Sequence, residues 1–424
     1  MSTPGTRGGE LGSLIELMGR PQFSAAMSRV IVGTAFLTYL LRNVIGEAGL
    51  LAIVAGLVLL AALGLVGQRE SLEWRGFLPI SLAVFLGWSA ISVFYSQFQW
   101  LTLGAIAYQL AFAALGIYVA LARDFIQIVR TVGDVLRAVI LLSLAMEFVV
   151  GVLFDTSFPF LGIVGNLAEG GPISGITGSR DNLWPVALVA LVTFGTELLT
   201  RSIGRVLGIL SIAGSAVTIL LTHSPVGFGV LGILGVASLA LLGLRRVPAA
   251  RRRYWLWGVG IAAMIAVVIA WVYRDNLLAL LGATGALKYR VGVWNNLFPF
   301  IQMHALEGWG WVGTWPTNVA PFETSIFLDG YNSALNAYLD VWFQLGFVGL
   351  LAFLVFIGLA TTKSWVLATQ KRSRIFVWPA LVLVALLVTD LTQSGILVEW
   401  GWLVVVVCAV KSAQHLRWRT PLSE

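Results

Sequence analysis

The sequence has few charged residues and a single cysteine, and both scarcities limit what the protein can be. Only 11% of its 424 residues are charged, 58% are hydrophobic, and the mean hydropathy is +0.89. Soluble domains usually carry about 25% charged residues. The lone Cys408 excludes a disulfide framework and a cysteine metal cluster. This composition indicates a protein that lies in a membrane.

Several chemical motifs are absent as well. The sequence contains no glycine-rich phosphate loop followed by Lys-Ser/Thr, so we do not expect ATP to drive the protein. Its three histidines do not combine with cysteines or carboxylates at metal-ligand spacing, and we predict no metal and no cofactor. His223 and His304 lie in turns, where either could act as a base near neutral pH, although a structural role is more usual there. The net charge of +7 is dispersed over short connectors, which membrane orientation explains without a nucleic-acid partner.

Apolar runs of membrane-helix length follow one another along the chain. A spanning helix needs about 20 apolar residues, whereas a membrane β-barrel strand alternates over about ten. The runs cover 30–46, 47–67, 77–96, 101–121, 138–154, 183–199, 206–222, 226–244, 254–273, 346–362, 375–392 and 398–411. We therefore predict an all-α polytopic membrane protein with about 12 transmembrane helices and one large extracytoplasmic loop between the ninth and tenth.

The lysines and arginines predict the orientation in the membrane. They concentrate in connectors that all face the cytoplasm if both termini do, the richest being 245–253, and cytoplasmic loops are enriched in these residues. The amphipathic stretch 122–137 is predicted to be an interfacial helix. The expected organisation, in a bacterial inner membrane, is a cytoplasmic tail at 1–29, a transmembrane domain at 30–411 with extracytoplasmic loops at 155–182 and 275–345, and a second cytoplasmic tail at 412–424.

Few basic residues fall on the predicted outer side. Arg180 lies where the first outer loop re-enters the membrane, and Arg290 lies in the large loop. A guanidinium donates the planar, paired hydrogen bonds that phosphate oxygens prefer, so we predict that both arginines converge on a phosphate-bearing lipid. The structural alternative is contact with headgroups or, for Arg180, a pair with Asp181. The others are Arg42, Arg274 and Lys288.

Four polar residues late in the large loop are spaced by four positions. They are Asn332, Asn336, Asp340 and Gln344. On a helix they would form one polar stripe, and a polar stripe that leads into an apolar span usually faces a water-filled cavity, because exposure to lipid is costly. We predict that Asn332 and Gln344 line such a cavity, together with Trp294, which is one helical turn beyond Arg290.

These features resemble the O-antigen ligase and polymerase superfamily, membrane glycosyltransferases that use polyprenyl-pyrophosphate-linked glycans at the outer face. The likeness covers the topology of most of the chain and a short motif, in which Asn336 is followed by nine residues and then by Gly-Phe-Val-Gly at 346–349. The resemblance implies that Arg180 and Arg290 bind the pyrophosphate without a metal. The family's proposed base is a histidine, and Leu335 occupies its position here.

The residue that would activate the acceptor hydroxyl is therefore open. Asp340, which continues the spacing from Asn336, is the first candidate, and these two are the predicted catalytic residues. Glu323 and Asp329 are alternatives. The reaction could also rely on stabilisation of the leaving pyrophosphate alone, because charge develops there in the transition state.

The resemblance implies a metal-independent inverting glycosyltransferase. The missing histidine favours a polymerase of lipid-linked repeat units over a ligase that moves finished glycan to another acceptor. A transporter or flippase is a second class, for which charges and broken helices at mid-membrane would be typical. A catalytically inactive scaffold is a third. The expected partners are polyprenyl-pyrophosphate-linked glycan, membrane lipid, a glycan acceptor and other polysaccharide-export proteins.

Overall fold

The computed structural model describes residues 18–70, 78–154, 156–274, 276, 279, 282–317, 319–323 and 332–415. Within these ranges the chain is helical, with one isolated β-bridge between Phe158 and Ile163. The helices are α1 (Pro21–Phe36), α2 (Thr38–Gly67), α3 (Ile80–Ile91), α4 (Gln99–Ala122), α5 (Phe125–Phe148), α6 (Arg180–Thr200), α7 (Arg205–Leu221), α8 (Pro225–Arg246), α9 (Arg252–Val272), α10 (Thr284–Met303), α11 (Ala337–Gln370), α12 (Val377–Thr389) and α13 (Glu399–His415).

Six of the described helices are long and apolar enough to cross a membrane, namely α2, α4, α5 with the turn that follows it, α6, α8 and α11. Three shorter apolar helices cover Ile80–Phe94, Arg205–Leu221 and Arg374–Thr389. The all-helical prediction is confirmed, whereas twelve spans and the position of the large loop are not. The first two apolar runs join in α2, which continues through their boundary with a kink at Gly46 (φ 75°).

The predicted interfacial helix at 122–137 is instead the first half of α5, which continues without interruption to Phe148. Asp124 and Gln127 form a capping box at its start. Arg137 on this segment forms an ion pair with the fully buried Glu197 of α6, and its guanidinium lies 4.9 Å from the centre of the Phe194 ring. Arg137 is therefore used in helix packing, and the prediction of a separate surface helix is wrong because the segment continues into the rest of α5.

The core is built around α13. Every residue from Gly401 to Ser412 is buried, as expected for a helix that is apolar on all sides. Its Trp402 ring lies 5.8 Å from the ring of Phe85 on α3 and 5.8 Å from that of Phe356 on α11. This packing holds the start of α13 in a defined position, where the candidate site is found.

Helix α11 is broken at Gly346 (φ 67°, ψ −173°), and a break leaves backbone groups without helical partners. Here five of these groups are bonded to other parts of the chain. The carbonyls of the three residues before Gly346 accept hydrogen bonds from the backbone of Trp309 and Gly310 and from the indole of Trp88. The two N–H groups after it donate to carbonyls at 305–306. The chain at 304–313 is thereby anchored against α11.

Candidate functional site

Two adjoining cavities open where several helices begin. The larger has a volume of about 540 Å³ and the smaller about 280 Å³. The starts of α4 and α13 border the larger cavity, and the starts of α6 and α13 and the chain just before α11 border the smaller. Helix N-termini present unpaired N–H groups and the positive end of the helix dipole, so they favour anions. The residues shared by both cavities are Gly313, Thr314, Asn332 and Val398.

The larger cavity combines aromatic and charged side chains. Its aromatic lining consists of Trp100, Tyr108, Phe112, Trp311, Trp315 and Trp402. Arg42 also lines it, between two carboxylates, with its Nη2 atom 2.8 Å from Glu399 Oε1 and its Nε atom 2.6 Å from Glu47 Oε2. Arg42 and Glu47 are brought to this cavity by the kink in α2.

The smaller cavity is lined mostly by hydroxyl and amide groups. Residues of both predicted outer loops line it, together with residues between α12 and α13. The lining includes Ser179, Asp181, Asn182, Asn332, Ser333, Gln393 and Ser394. The two loops that the charge pattern assigns to one side of the membrane therefore meet at this cavity.

The connector 390–398 holds this region together. Its carbonyls at Asp390 and Gln393 accept from Ala337 N, at 2.9 Å each, and Gln393 Nε2 donates to Asp181 O at 2.5 Å. Arg290 Nε donates to Thr392 O at 3.2 Å. One short connector thus joins the start of α6, the start of α11 and the middle of α10.

The two predicted pyrophosphate arginines both lie beside this connector. Arg180 is the first residue of α6 and is exposed. Arg290 is 7% exposed, and besides Thr392 its Nη1 donates to Ala286 O at 3.3 Å. Neither arginine is among the residues that line the cavities. The structure brings their helices to one connector, which the Arg290 guanidinium contacts directly.

The predicted polar stripe is wrong, because α11 begins only at Ala337. Asn336 is its N-cap, and its Oδ1 accepts from Tyr338 N at 3.0 Å and Leu339 N at 3.1 Å. Its Nδ2 donates to Leu391 O at 3.0 Å. Leu335, at φ 51°, turns the chain before the cap. Asn332 therefore lies outside the helix, where it lines both cavities.

Asp340 and Gln344 are fully buried and hold the turn 311–315. Asp340 Oδ1 accepts from Trp315 Nε1 at 2.7 Å and Gln344 Nε2 at 2.9 Å, and its Oδ2 accepts from Ala334 N at 3.3 Å. Gln344 Oε1 accepts from the N–H groups of Val312 and Gly313 at 2.8 and 2.9 Å. Gln344 does not line either cavity, contrary to the prediction, because these bonds direct it into the turn.

Trp294 is half-buried and lines neither cavity, contrary to the prediction, and its Nε1 donates to Ala334 O at 2.9 Å. His304 Nδ1 donates to Glu307 Oε1 at 2.8 Å, which lowers the pKa of that carboxyl, and its ring lies 4.4 Å from that of Trp309. Of the alternative bases, Glu323 lines neither cavity. Asp329 lies outside the described residues, as do 1–17 and 416–424 of the predicted tails.

Sequence reasoning missed the cluster of Arg42, Glu47, Tyr108 and Glu399. A signal was present, since Arg42 and Glu47 interrupt two apolar runs and Glu399 begins a third. Charges in such places usually face the protein interior or a cavity. What the sequence does not reveal is that these residues, up to 357 positions apart, contact one another.

The fold and the cavities define a helical membrane protein with a polar site at converging helix ends. Residues 209–354 match the protein-family model described as O-antigen ligase. This match confirms the resemblance to the O-antigen ligase and polymerase superfamily and includes Arg290, the turn 309–315 and the motif 336–349. The family implies a ligase or polymerase type of activity on lipid-linked glycans. No curated protein matches the chain.

Proposed function

We propose that the protein polymerises polyprenyl-pyrophosphate-linked oligosaccharide repeat units at the outer face of the bacterial inner membrane, with both termini in the cytoplasm. The observation that carries the proposal is the pair of adjoining cavities, each lined in part by residues of 209–354, the segment that matches the O-antigen ligase model. One is bordered by helix N-termini and flanked by two arginines, and the other is aromatic and charged. A group-transfer enzyme needs two such places, one for the donor and one for the acceptor.

The smaller cavity is proposed as the site of the donor pyrophosphate. Its serine hydroxyls, amide side chains and helix starts can donate hydrogen bonds to phosphate oxygens. Arg290 is oriented by Thr392 O and Ala286 O, and Arg180 is exposed at the start of α6, free to extend over a bound headgroup. Because charge grows on the pyrophosphate as it leaves, donors held in place there lower the barrier.

The proposed reaction is a single displacement. The acceptor hydroxyl oxygen bonds to the anomeric carbon, the bond from that carbon to the pyrophosphate oxygen breaks with its electron pair, and the configuration inverts. Asn336 and Asp340 contribute as positioning residues, because Asn336 caps α11 and Asp340 holds Trp315 in the cavity wall. This assignment replaces the expectation that Asp340 is the base, since its oxygens are buried and bonded within the protein.

A ligase is the second candidate, and the description of the matched family favours it equally. The two activities use the same donor chemistry and differ in the acceptor. A transporter is less well supported, although α11 is broken as transporter helices often are. Five backbone groups at this break are bonded to 305–310 and to Trp88, so these five are not available to bind an ion or substrate.

The test is glycan transfer by the full-length protein in lipid nanodiscs supplied with polyprenyl-pyrophosphate oligosaccharide, EDTA and no nucleotide. We expect longer lipid-linked chains and free polyprenyl pyrophosphate. Arg290→Ala should reduce the rate at least about 100-fold, the usual effect of removing a donor to developing charge. Arg290→Lys should recover only part, because an ammonium lacks the guanidinium fork.

Lys288→Ala is the matched control, since this exposed cation lies on the same helix, and it should retain the wild-type rate. One transfer per donor onto a second lipid would identify a ligase, whereas repeated extension identifies a polymerase. Donor that crosses the bilayer without being consumed would refute the proposed reaction and favour transport.

A further inference from the structure

The larger cavity has the chemical character of a saccharide site. A sugar ring presents apolar C–H faces and a rim of hydroxyls, and the cavity offers indole and phenyl faces beside carboxylates. Trp100, one of its lining residues, is 86% exposed, so the face of its indole is accessible for a sugar ring to stack on. Pockets that bind polar organic ligands combine apolar walls with a few fixed polar groups in this way.

Glu399 is the most constrained polar group in this cavity. It is the first residue of α13 and has φ 50°, in the left-handed region that non-glycine residues rarely adopt. Such a conformation costs about 1–3 kcal/mol and is concentrated at functional sites. The residue before it, Val398, lines both cavities. Glu399 therefore lies at the boundary between the two proposed substrates.

The two carboxylate oxygens of Glu399 differ in their hydrogen bonds. Oε1 accepts from Arg42 Nη2 at 2.8 Å and from Tyr108 Oη at 3.4 Å. In the described part of the chain, no group donates to Oε2. The side chain is only 19% exposed, so Arg42 and Tyr108 hold the carboxylate in place while one oxygen keeps its capacity to accept a proton.

We propose that the larger cavity binds the acceptor saccharide and that Glu399 is the base that activates its hydroxyl. This inference rests on the proposed glycan transfer. The acceptor O–H proton passes to Glu399 as the oxygen bonds to the anomeric carbon, and the pyrophosphate departs with the electron pair of the broken bond. A carboxylate at this position would do the work of the histidine that Leu335 replaces.

Other carboxylates fit this role less well. Both oxygens of Asp340 are bonded to N–H donors within a fully buried network. The side chain of Glu47 is 56% exposed and pairs with the Nε atom of Arg42. Asp181 lines the smaller cavity, on the proposed donor side, and is not among the residues that line the larger cavity. Of these four carboxylates, only Glu399 has a largely buried side chain that lines the larger cavity. One of its oxygens also accepts no hydrogen bond from the described residues.

The experiment compares wild type, Glu399→Gln and Glu399→Asp in nanodiscs, with Glu169→Gln, an exposed carboxylate away from both cavities, as the matched control. Donor affinity is measured with polyprenyl-pyrophosphate oligosaccharide, separately from transfer. We expect Glu399→Gln to bind donor normally and to lose about 10² to 10⁴-fold in transfer, the usual contribution of a general base. Glu399→Asp should keep part of the activity, and Glu169→Gln all of it.

Azide distinguishes a base from a structural residue. As an anionic nucleophile it has no proton to lose, so it should restore donor cleavage in Glu399→Gln, yielding glycosyl azide and polyprenyl pyrophosphate, but not in Arg290→Ala. A folded Glu399→Gln that transfers within twofold of wild type, or that azide does not rescue, overturns the inference while the proposed transfer stands. Wild-type protein that binds donor without consuming it would overturn the transfer itself, and the inference with it.

Discussion

Asp340 and Glu399 are both carboxylates close to the turn 311–315, and they differ in what surrounds them. Asp340 is fully buried, and N–H groups of Trp315, Gln344 and Ala334 donate hydrogen bonds to its two oxygens. Glu399 lines a cavity with the other face of the same turn, and two groups hold one of its oxygens. Trp315 connects the two regions, because its indole N–H bonds to Asp340 and its ring forms part of the cavity lining.

The difference distinguishes a carboxylate that stabilises the fold from one that can still interact with a substrate. A buried carboxylate is tolerated only when its charge is matched by donors, and once it is matched it has little capacity left for a substrate. The four-residue spacing pointed to Asp340, but spacing cannot distinguish a stripe that faces water from one that is sealed by a loop. The following predictions test whether this contrast holds.

The largest effect is expected from the break that anchors the chain behind Asp340. Gly346→Ala should lower the free energy of unfolding by about 4 kcal/mol, at the upper end for single substitutions. The new Cβ would overlap the Leu306 carbonyl, and φ 67° is unfavourable for alanine. Unfolding in mixed detergent–SDS micelles measures this change.

Gly358→Ala is the control within the same helix. A Cβ there meets nothing within 4 Å, so the variant should be as stable as wild type or more stable by about 0.5–1 kcal/mol. Equal stability of Gly346→Ala and wild type would contradict the role given to the break.

Asp340→Ala should cost about 3 kcal/mol of unfolding free energy, because it leaves the buried N–H groups of Trp315 and Ala334 without a partner. Asp340→Asn keeps one acceptor oxygen and should lose less. Transfer per folded molecule should fall only modestly in Asp340→Asn. If that variant is as stable as wild type but loses 100-fold or more in transfer, Asp340 is the base after all.

Arg42→Gln should have the smallest effect, a decrease of about tenfold in transfer, equivalent to about 1.4 kcal/mol. Without the cation, Glu399 holds its proton more tightly, so the acid limb of the pH–rate profile should move to higher pH. Arg42→Lys keeps the charge and should leave that limb in place. An unmoved limb in Arg42→Gln would separate Arg42 from the base.

Much of the fold could be predicted from the sequence, because apolar runs must form helices in lipid. The boundaries of α4 and α6 agree with their runs within three residues. The predictions fail where the packing of helices against one another determines the structure. The stretch 122–137 has an amphipathic pattern that suits a membrane surface or a helix interface equally. The continuous helix α5 and the ion pair of Arg137 with Glu197 distinguish the two.

The candidate site was predictable in part. Arg180 and Arg290 were identifiable as two of the few arginines on the predicted outer side, and the structure brings their helices to the connector 390–398. The same scarcity applied to Arg42, but its partner Glu399 is 357 residues away in the chain. Local periodicity carries no information about such a contact, since it depends on how α2 and α13 pack.

The sequence by itself determined the class of protein, the helical architecture and the family motif at 336–349. These follow from local physics, because hydrophobicity, backbone freedom and residue spacing act over a few turns of chain. Only the tertiary structure decided which polar groups are sealed and which line a cavity. That outcome depends on where the turn 304–315 docks, and docking satisfies the hydrogen bonds of Asp340 while leaving Glu399 beside open space.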